Sequence, residues 1–210
     1  LISPDILIVY PGRFTTGKKF EKVAMLAGAL KSVSTYQVKV VFCEFPAMDI
    51  AVTEYKKNIR KKGIASGLNK EDIIFTSDYG YSEGLSRSAI FDLFTLSNLY
   101  ICPSYSESFG LTVLEAASRG NYLVLNEAVP ALQELGKSLG AYFLRWDARN
   151  FGFFTQESYH PSEKAYYEDH GREILLSMER NNIISAKMKV RKRYSTKWVY
   201  ENQLKQLLEL

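Results

Sequence analysis

"DILIVYPGRFTTGKKFEKVAMLAGAL", residues 5–30, decides how the rest of the chain is read. The apolar run "DILIVY" (5–10) has the character of a buried strand. After the loop "GRFTTGKK" (12–19), Phe20, Val23, Ala24, Ala27 and Leu30 recur at helical spacing. Strand, glycine-bearing loop and helix is an arrangement that holds phosphate in α/β proteins. Gly12, Gly17 and Lys18 nearly match the P-loop spacing G-x-x-x-x-G-K-[ST], but Lys19 stands where a hydroxyl would hold Mg²⁺. Gly12 would let the chain turn sharply after the strand. Arg13 and Lys18 would clamp a diphosphate from two sides. The competing reading is a solvated turn with surface lysines, and these residues alone leave both open.

Outward from this unit, apolar runs continue to alternate with amphipathic ones. Strands are expected at 37–45, 72–77, 99–104, 121–127 and 141–146, after the first at 5–10. Helices are expected at 54–68, 87–97 and 111–120, with one or two helical turns at 130–135. Gly120 suits the position just past a helix end. Six strands alternating with helices predict a doubly wound, mostly parallel six-stranded sheet covered on both faces. Ligands of such sheets lie outside the carboxyl ends of the strands. The loops of interest then begin at Tyr10, Phe45, Ser77, Pro103, Asn126 and Trp146. The sheet domain is placed at 1–150. From about 151 the chain is aromatic and polar with no clean strand, and helical stretches at about 162–180 and 182–209 follow. Residues 151–210 read as a helical extension packing on the sheet domain.

The chain has 210 residues, 46% of them hydrophobic and 24% charged, an ordinary globular composition. A net charge of +4 permits an anionic ligand and requires none. Cys43 and Cys102 both sit in apolar runs and read as buried free thiols of a reducing compartment. No apolar run reaches the length of a membrane span, and the first residues lack the basic region of a signal peptide. The absence of an initiator Met leads us to expect that the chain begins inside a longer protein.

The segment "PSYSESFGLTVLEAASRG" (103–120) carries the most chemistry. Glu107 and Glu115 flank a helix start at Phe109, Gly110, Leu111 and Thr112. The N–H groups of Gly110, Leu111 and Thr112 would be free first-turn donors aimed at an anion. Gly110, lacking Cβ, would let a ligand approach the backbone. Glu115, about a turn into the helix, is placed to accept from ribose hydroxyls, as acidic residues do in dinucleotide folds. Glu107 precedes the helix, where it would accept from sugar hydroxyls. The alternative is an N-terminal acid favoured by the helix dipole, Glu107, and a surface acid, Glu115.

This segment resembles the E-x7-E signature of family 4 retaining glycosyltransferases, in its frame P-S-x-x-E-x-F-G-x-x-x-x-E-A-x-x-x-G. "YPGRFTTGKKF" is similar to that family's G-R-x-x-x-x-K-G loop, with Gly12, Arg13 and Lys18 on its positions. "LFTLSNLYICPS" (93–104), "EAVPALQEL" (127–135, with Glu134 on the acidic position) and the tail "RKRYSTKWVYENQLKQLLEL" (191–210) also resemble it. The resemblance implies the C-terminal, donor-binding half of a GT-B glycosyltransferase, a Rossmann-like domain that holds a nucleotide-sugar without metal or other cofactor. Arg13, Lys18 and Glu107 would be its catalytic groups. Gly12, Phe109, Gly110, Leu111, Thr112 and Glu115 would complete the donor site, with the base near 77–81. It implies retention of anomeric configuration, a hexose moved to a glycan or lipid-linked acceptor, and an N-terminal acceptor domain that carries a catalytic His. This chain alone would then transfer little or nothing, and His160 and His170 would be surface residues. Three departures stand out. Lys19 replaces the usual Gly, "FCEFPAMD" (42–49) replaces a Gly-rich turn, and "EAVPALQE" (127–134) lacks a Gly pair.

Two basic runs remain. One is Lys56, Lys57, Arg60, Lys61 and Lys62. The other is Lys187, Lys189, Arg191, Lys192, Arg193 and Lys197. Both read as solvated helix faces. The second, interleaved with Met188, Val190, Tyr194 and Trp198, also suits an anionic membrane surface, giving a cytoplasmic and membrane-peripheral expectation. No nucleic-acid motif occurs. Two rival functions are a P-loop NTP-binding domain, with Glu44 as the candidate Walker B acid, and a non-catalytic binding module on the same fold.

Overall fold

Strand β1 (Ile6–Arg13) is the centre from which the architecture follows. Its residues from Ile6 to Val9 are fully buried, as a strand covered on both faces must be. A computed structural model of the protein describes residues 4–47, 51–146, 148–150, 153–155, 163–181, 183–184 and 200–205. After β1 come α1 (Phe20–Ser32), β2 (Val38–Phe45), α2 (Val52–Ala65), β3 (Ile73–Phe75), α3 (Arg87–Leu96) and β4 (Leu99–Cys102). Then follow α4 (Leu111–Ser118), β5 (Tyr122–Asn126), α5 (Pro130–Leu139) and β6 (Tyr142–Leu144). The main sheet has the order β3-β2-β1-β4-β5-β6, with every neighbouring pair parallel. Helices cover both faces, so the expected doubly wound α/β sheet is present. The order reverses direction between β1 and β4. The connections that follow these two strands therefore lead to opposite halves of the sheet, and a crevice at the carboxyl ends is expected at this point.

Helix α1 packs between α2 and α6 (Glu163–Arg180), and α3 packs on α4. At Gly28 of α1 a Cβ would lie 2.7 Å from the Cβ of Ser66, so only glycine lets the end of α2 come this close. Buried asparagines settle polar needs between strands. Asn98 accepts from the Leu7 N–H at 2.9 Å and donates to the Asp5 carbonyl at 2.8 Å, which ties the start of β4 to β1. Asn126 donates to the Ser104 carbonyl at 3.0 Å and accepts from the N–H groups of Ala128 and Trp146, which ties three loops together at the carboxyl edge.

Several boundaries differ from expectation. β1 does not end at Tyr10 but pairs with β2 through Arg13, opposite Phe45. Gly12 is therefore a strand residue opposite Glu44, and not a turn; it is absent from the positive-φ residues. Eight consecutive parallel pairs outweigh one local glycine. α5 runs to Leu139 instead of one or two turns, ending at Gly140 with φ 67°. Beyond Trp146 the chain forms a small antiparallel hairpin, β7 (Ala148–Asn150) with β8 (Phe153–Thr155), where no clean strand was expected. α6 matches the expected 162–180 helix. The second basic run, His160 and most of the 182–209 stretch lie outside the described residues, apart from a π-helical turn at Tyr200–Leu204. No helix among the described residues is long and apolar enough to cross a membrane. Cys43 and Cys102 are buried free thiols, and burial pushes each up to about 12.

Candidate functional site

The loop after β1 rests on an aromatic floor. Tyr10, Phe14, Phe20, Phe42 and Phe75 are buried together, with Tyr10 and Phe14 each about 5 Å from Phe20, ring centre to ring centre. The Tyr10 hydroxyl donates to the Lys18 carbonyl at 2.6 Å. Burial raises the Tyr10 phenol well above its ordinary value, so it stays a neutral donor. Tyr10 was not singled out from the sequence, where it reads only as the end of an apolar run. The loop then makes one 3₁₀ turn at Thr16–Lys18, and the chain passes into α1 through Lys19, which has φ 53° and ψ 46°. Lys19 is the one non-glycine with positive φ among the described residues. It adopts, at the position where the resembled family carries Gly, the left-handed conformation that Gly favours. Its ammonium lies 3.9 Å from the centre of the Tyr105 ring and 3.8 Å from the Glu21 carboxylate.

The loop after β4 comes to meet this one. The Tyr105 N–H donates to the Gly17 carbonyl at 3.0 Å. The Lys18 ammonium donates to Oε1 of Glu107. Two of the three expected catalytic groups, 89 residues apart in sequence, therefore meet across the crevice between β1 and β4. Both side chains remain accessible, 28% for Lys18 and 19% for Glu107. Arg13 is exposed at the end of β1 and has no ion pair among the described residues.

Helix α4 opens beside Glu107. Gly110 caps it with φ 83° and ψ 43°. Gly110 is buried, and a Cβ there would lie 3.0 Å from Leu135 of α5. Glycine is thus needed for the turn and for packing against α5, and not only to let a ligand approach. The Gly110 carbonyl accepts from the N–H groups of Val113 and Leu114. The N–H groups of Gly110, Leu111 and Thr112 have no acceptor among the described residues. The flanking Phe109 and Leu111 side chains are exposed. Glu115 lies one turn further in, 23% exposed, and its Oε1 accepts from Arg87 at 3.1 Å (Nε) and 2.9 Å (Nη2). Arg87 went unmarked in the sequence, where nothing links the start of α3 to α4. Glu134 is exposed on α5.

The carboxyl end of β2 is organised differently. Glu44 is buried and accepts from the N–H and hydroxyl of Thr76 at 3.2 Å each and from Ser77 Oγ. Lys56 of α2 pairs with it at 3.0 Å. Lys56 and Arg60 also hold Asp78, and both cations lie over the Phe75 ring. Burial alone would raise the Asp78 carboxyl, and the hydrogen bonds from Lys56 and Arg60 outweigh it, so its pKa lies below the ordinary value. An NTPase acid must face Mg²⁺ and phosphate; Glu44 faces Thr76, Ser77 and Lys56 instead. Beside this end of the sheet a cleft of about 520 Å³ is lined by Ile74, Thr76, Tyr79, Tyr81, Leu85 and Ala89, among others. Two of the expected base-pocket residues, Tyr79 and Tyr81, border it.

His170 is not a simple surface residue. Its Nδ1 lies 2.6 Å from the Tyr142 hydroxyl, and its ring packs edge-on against Tyr166. It joins α6 to β6. Among the described residues no cluster of His, Cys, Asp and Glu could hold a metal.

The family model described as "Glycosyl transferases group 1" matches residues 2–138. No curated protein matches the chain by sequence. Solved structures match at low identity. The C-terminal domain of a group 1 glycosyl transferase, LpcC from Francisella tularensis, has 16% identity and a TM-score of 0.56, over 90% of this chain and 86% of that one. A trehalose-6-phosphate protein from E. coli bound with UDP-2-fluoro glucose has 12% identity and a TM-score of 0.59, over 98% of this chain and 44% of that one. WaaG, a glycosyltransferase involved in lipopolysaccharide biosynthesis, has 11% identity and a TM-score of 0.57, over 92% and 44%. The chain thus spans under half the length of the last two. A sheet with its order reversed at β1 and β4 and a family match over more than half the residues agree: this chain belongs to the glycosyl transferases group 1 family.

Proposed function

We propose that this chain is the nucleotide-sugar-binding half of a retaining hexosyltransferase of the GT-B type. The observation that carries the reading is the meeting of Lys18 and Glu107 in the crevice between β1 and β4, beside the open first-turn amides of α4. Cation, carboxylate and amides together offer what a sugar diphosphate needs. Lys18 and Arg13 neutralise the two phosphates, and the amides of Gly110 to Thr112 bind an oxygen that the cations leave free. Glu107 accepts from hydroxyls of the donor sugar, and Glu115 from the ribose. In the reaction, the bond from the anomeric carbon to the diphosphate oxygen breaks and its electron pair leaves with the diphosphate. A bond to the acceptor oxygen forms on the same face, and the proton of that hydroxyl passes to the departing diphosphate oxygen. Lys18 and Arg13 stabilise the charge growing on the leaving group, which is electrostatic catalysis. With two cations in place, no metal is required. The base lies toward Tyr79 and Tyr81. The same-fold protein bound with UDP-2-fluoro glucose supports this class of donor.

The domain division at 150, the acceptor-binding N-terminal half and closure of the two halves over the donor belong to the same proposal. The exposed Phe109 and Leu111 at the rim suit such closure.

Calorimetric titration of the chain with UDP, GDP and ADP, in EDTA and then in Mg²⁺, tests the reading. Metal-independent binding of one diphosphate, weakened by Glu115→Ala, is the expected result. Binding that requires Mg²⁺ and survives Glu115→Ala would overturn it in favour of a P-loop-type site.

A further inference from the structure

We infer that Arg87 is a positioning residue for ribose recognition, a role that rests on the donor-binding reading above. Arg87 is the first residue of α3, immediately after the cap Ser86, whose hydroxyl accepts from the Ala89 N–H at 3.2 Å. A cation in the first turn opposes the helix dipole, which favours acids there. α3 carries no acid in that turn to compensate. The local preference is thus broken, and within α3 the Phe91 ring is the contact that offsets it.

The guanidinium does two things. It lies 5.3 Å from the ring centre of Phe91, one turn along α3. It also directs two N–H groups, Nε and Nη2, at a single oxygen of Glu115, at 3.1 and 2.9 Å. Oε1 is thereby held in the fork of the guanidinium. Oε2 has no partner among the described residues. The carboxylate is consequently held in one plane, with one oxygen spent and the other offered. An unrestrained glutamate rotates about its terminal torsion and would have to be ordered when the ligand arrives.

The pair does little for stability. Arg87 is 76% exposed, and exposed ion pairs contribute about 0–1 kcal/mol. What it changes is the direction of an acceptor at the carboxyl edge of the sheet, on the helix that opens beside Glu107. A carboxylate with one presented oxygen accepts strongly from one ribose hydroxyl. Arg87 therefore sets the selectivity between a ribonucleotide and its deoxy counterpart, without itself touching the ribose.

The test uses the best binder among UDP, GDP and ADP, with its 2′-deoxy and 3′-deoxy forms, titrated calorimetrically into the wild-type chain, Arg87→Gln, Arg87→Lys and Glu115→Gln. Wild type should bind the ribo form about tenfold more tightly than one of the deoxy forms, the worth of one charge-assisted hydrogen bond. Arg87→Gln should shrink that ratio to about threefold or less, chiefly by weakening the ribo form. Arg87→Lys, a single mobile donor, should fall between the two. Loss of long-range attraction to the diphosphate would instead weaken ribo and deoxy forms equally, leaving the ratio intact. An unchanged ratio in Arg87→Gln, with Glu115→Gln abolishing it, overturns the role of Arg87 and leaves the donor site standing. Absence of binding by all three diphosphates to wild type overturns both. Thermal unfolding of each variant should lie close to wild type, as expected for so exposed a side chain.

Discussion

Glu44 and the pair Glu107 and Glu115 all stand near the carboxyl edge of one sheet, yet they do opposite things. The Glu44 side chain is 5% exposed and meets four donor groups from Thr76, Ser77 and Lys56. Its hydrogen-bonding capacity is used up inside the protein. Glu107 and Glu115 are 19% and 23% exposed, and each meets one cation through one oxygen. A carboxylate whose acceptors are filled by its own fold anchors a loop. One with an oxygen to spare in a crevice can bind something else. The contrast follows from topology. β2 and β3 lie on the same side of β1, so α2 folds back over their ends and supplies Lys56. The loops after β1 and β4 touch at Gly17 and Tyr105 with no helix among the described residues folded over them as α2 is over Glu44, so the cation and acid there meet at an accessible edge.

The hardest way to break this comparison is to remove Glu44. Glu44→Ala leaves the Lys56 ammonium largely buried, with Asp78 as its one remaining carboxylate partner beside the Ser77 hydroxyl, and should cost about 3 kcal/mol of stability in urea unfolding. Its diphosphate affinity per folded molecule should stay near wild type. A stable Glu44→Ala that no longer bound nucleotide would invert the assignment of the two regions. Lys18→Ala should behave in the opposite way. Diphosphate affinity should fall about tenfold to a hundredfold, while stability moves by about 0.5 kcal/mol or less. The smallest effect is at Lys19. Its left-handed backbone costs any residue with a Cβ about 1–2 kcal/mol relative to glycine. Lys19→Gly should therefore be about 1 kcal/mol more stable than Lys19→Ala in chemical denaturation. The reverse order would mean that the loop relaxes out of that conformation.

The sheet was legible because parallel strands covered on both faces are written as apolar runs, as "ILIV" (6–9) and "LYIC" (99–102) are. The meeting of Lys18 and Glu107 was legible only through the motif frame around each. The Arg87–Glu115 contact was not, since it spans 28 residues and depends on how α3 lies against α4. Gly12 misled because a glycine after an apolar run reads as a turn, whereas pairing with β2 carries the strand three residues further. The left-handed Lys19 could not be read from a lysine, only suspected from a missing glycine. The β7–β8 pairing was missed because "ARN" (148–150) carries no apolar run to mark a strand, unlike the equally short β3 and β6.

Hydrogen–deuterium exchange of the chain, free and saturated with the tightest-binding nucleoside diphosphate in EDTA, tests the central claim most directly. Slowed exchange is expected at the amides of residues 110–112, with a smaller slowing at 17–19, because those amides acquire phosphate acceptors or are covered by the ligand. Slowing confined to the N-terminal ends of the strands, or no change at 110–112 under saturation, would contradict it.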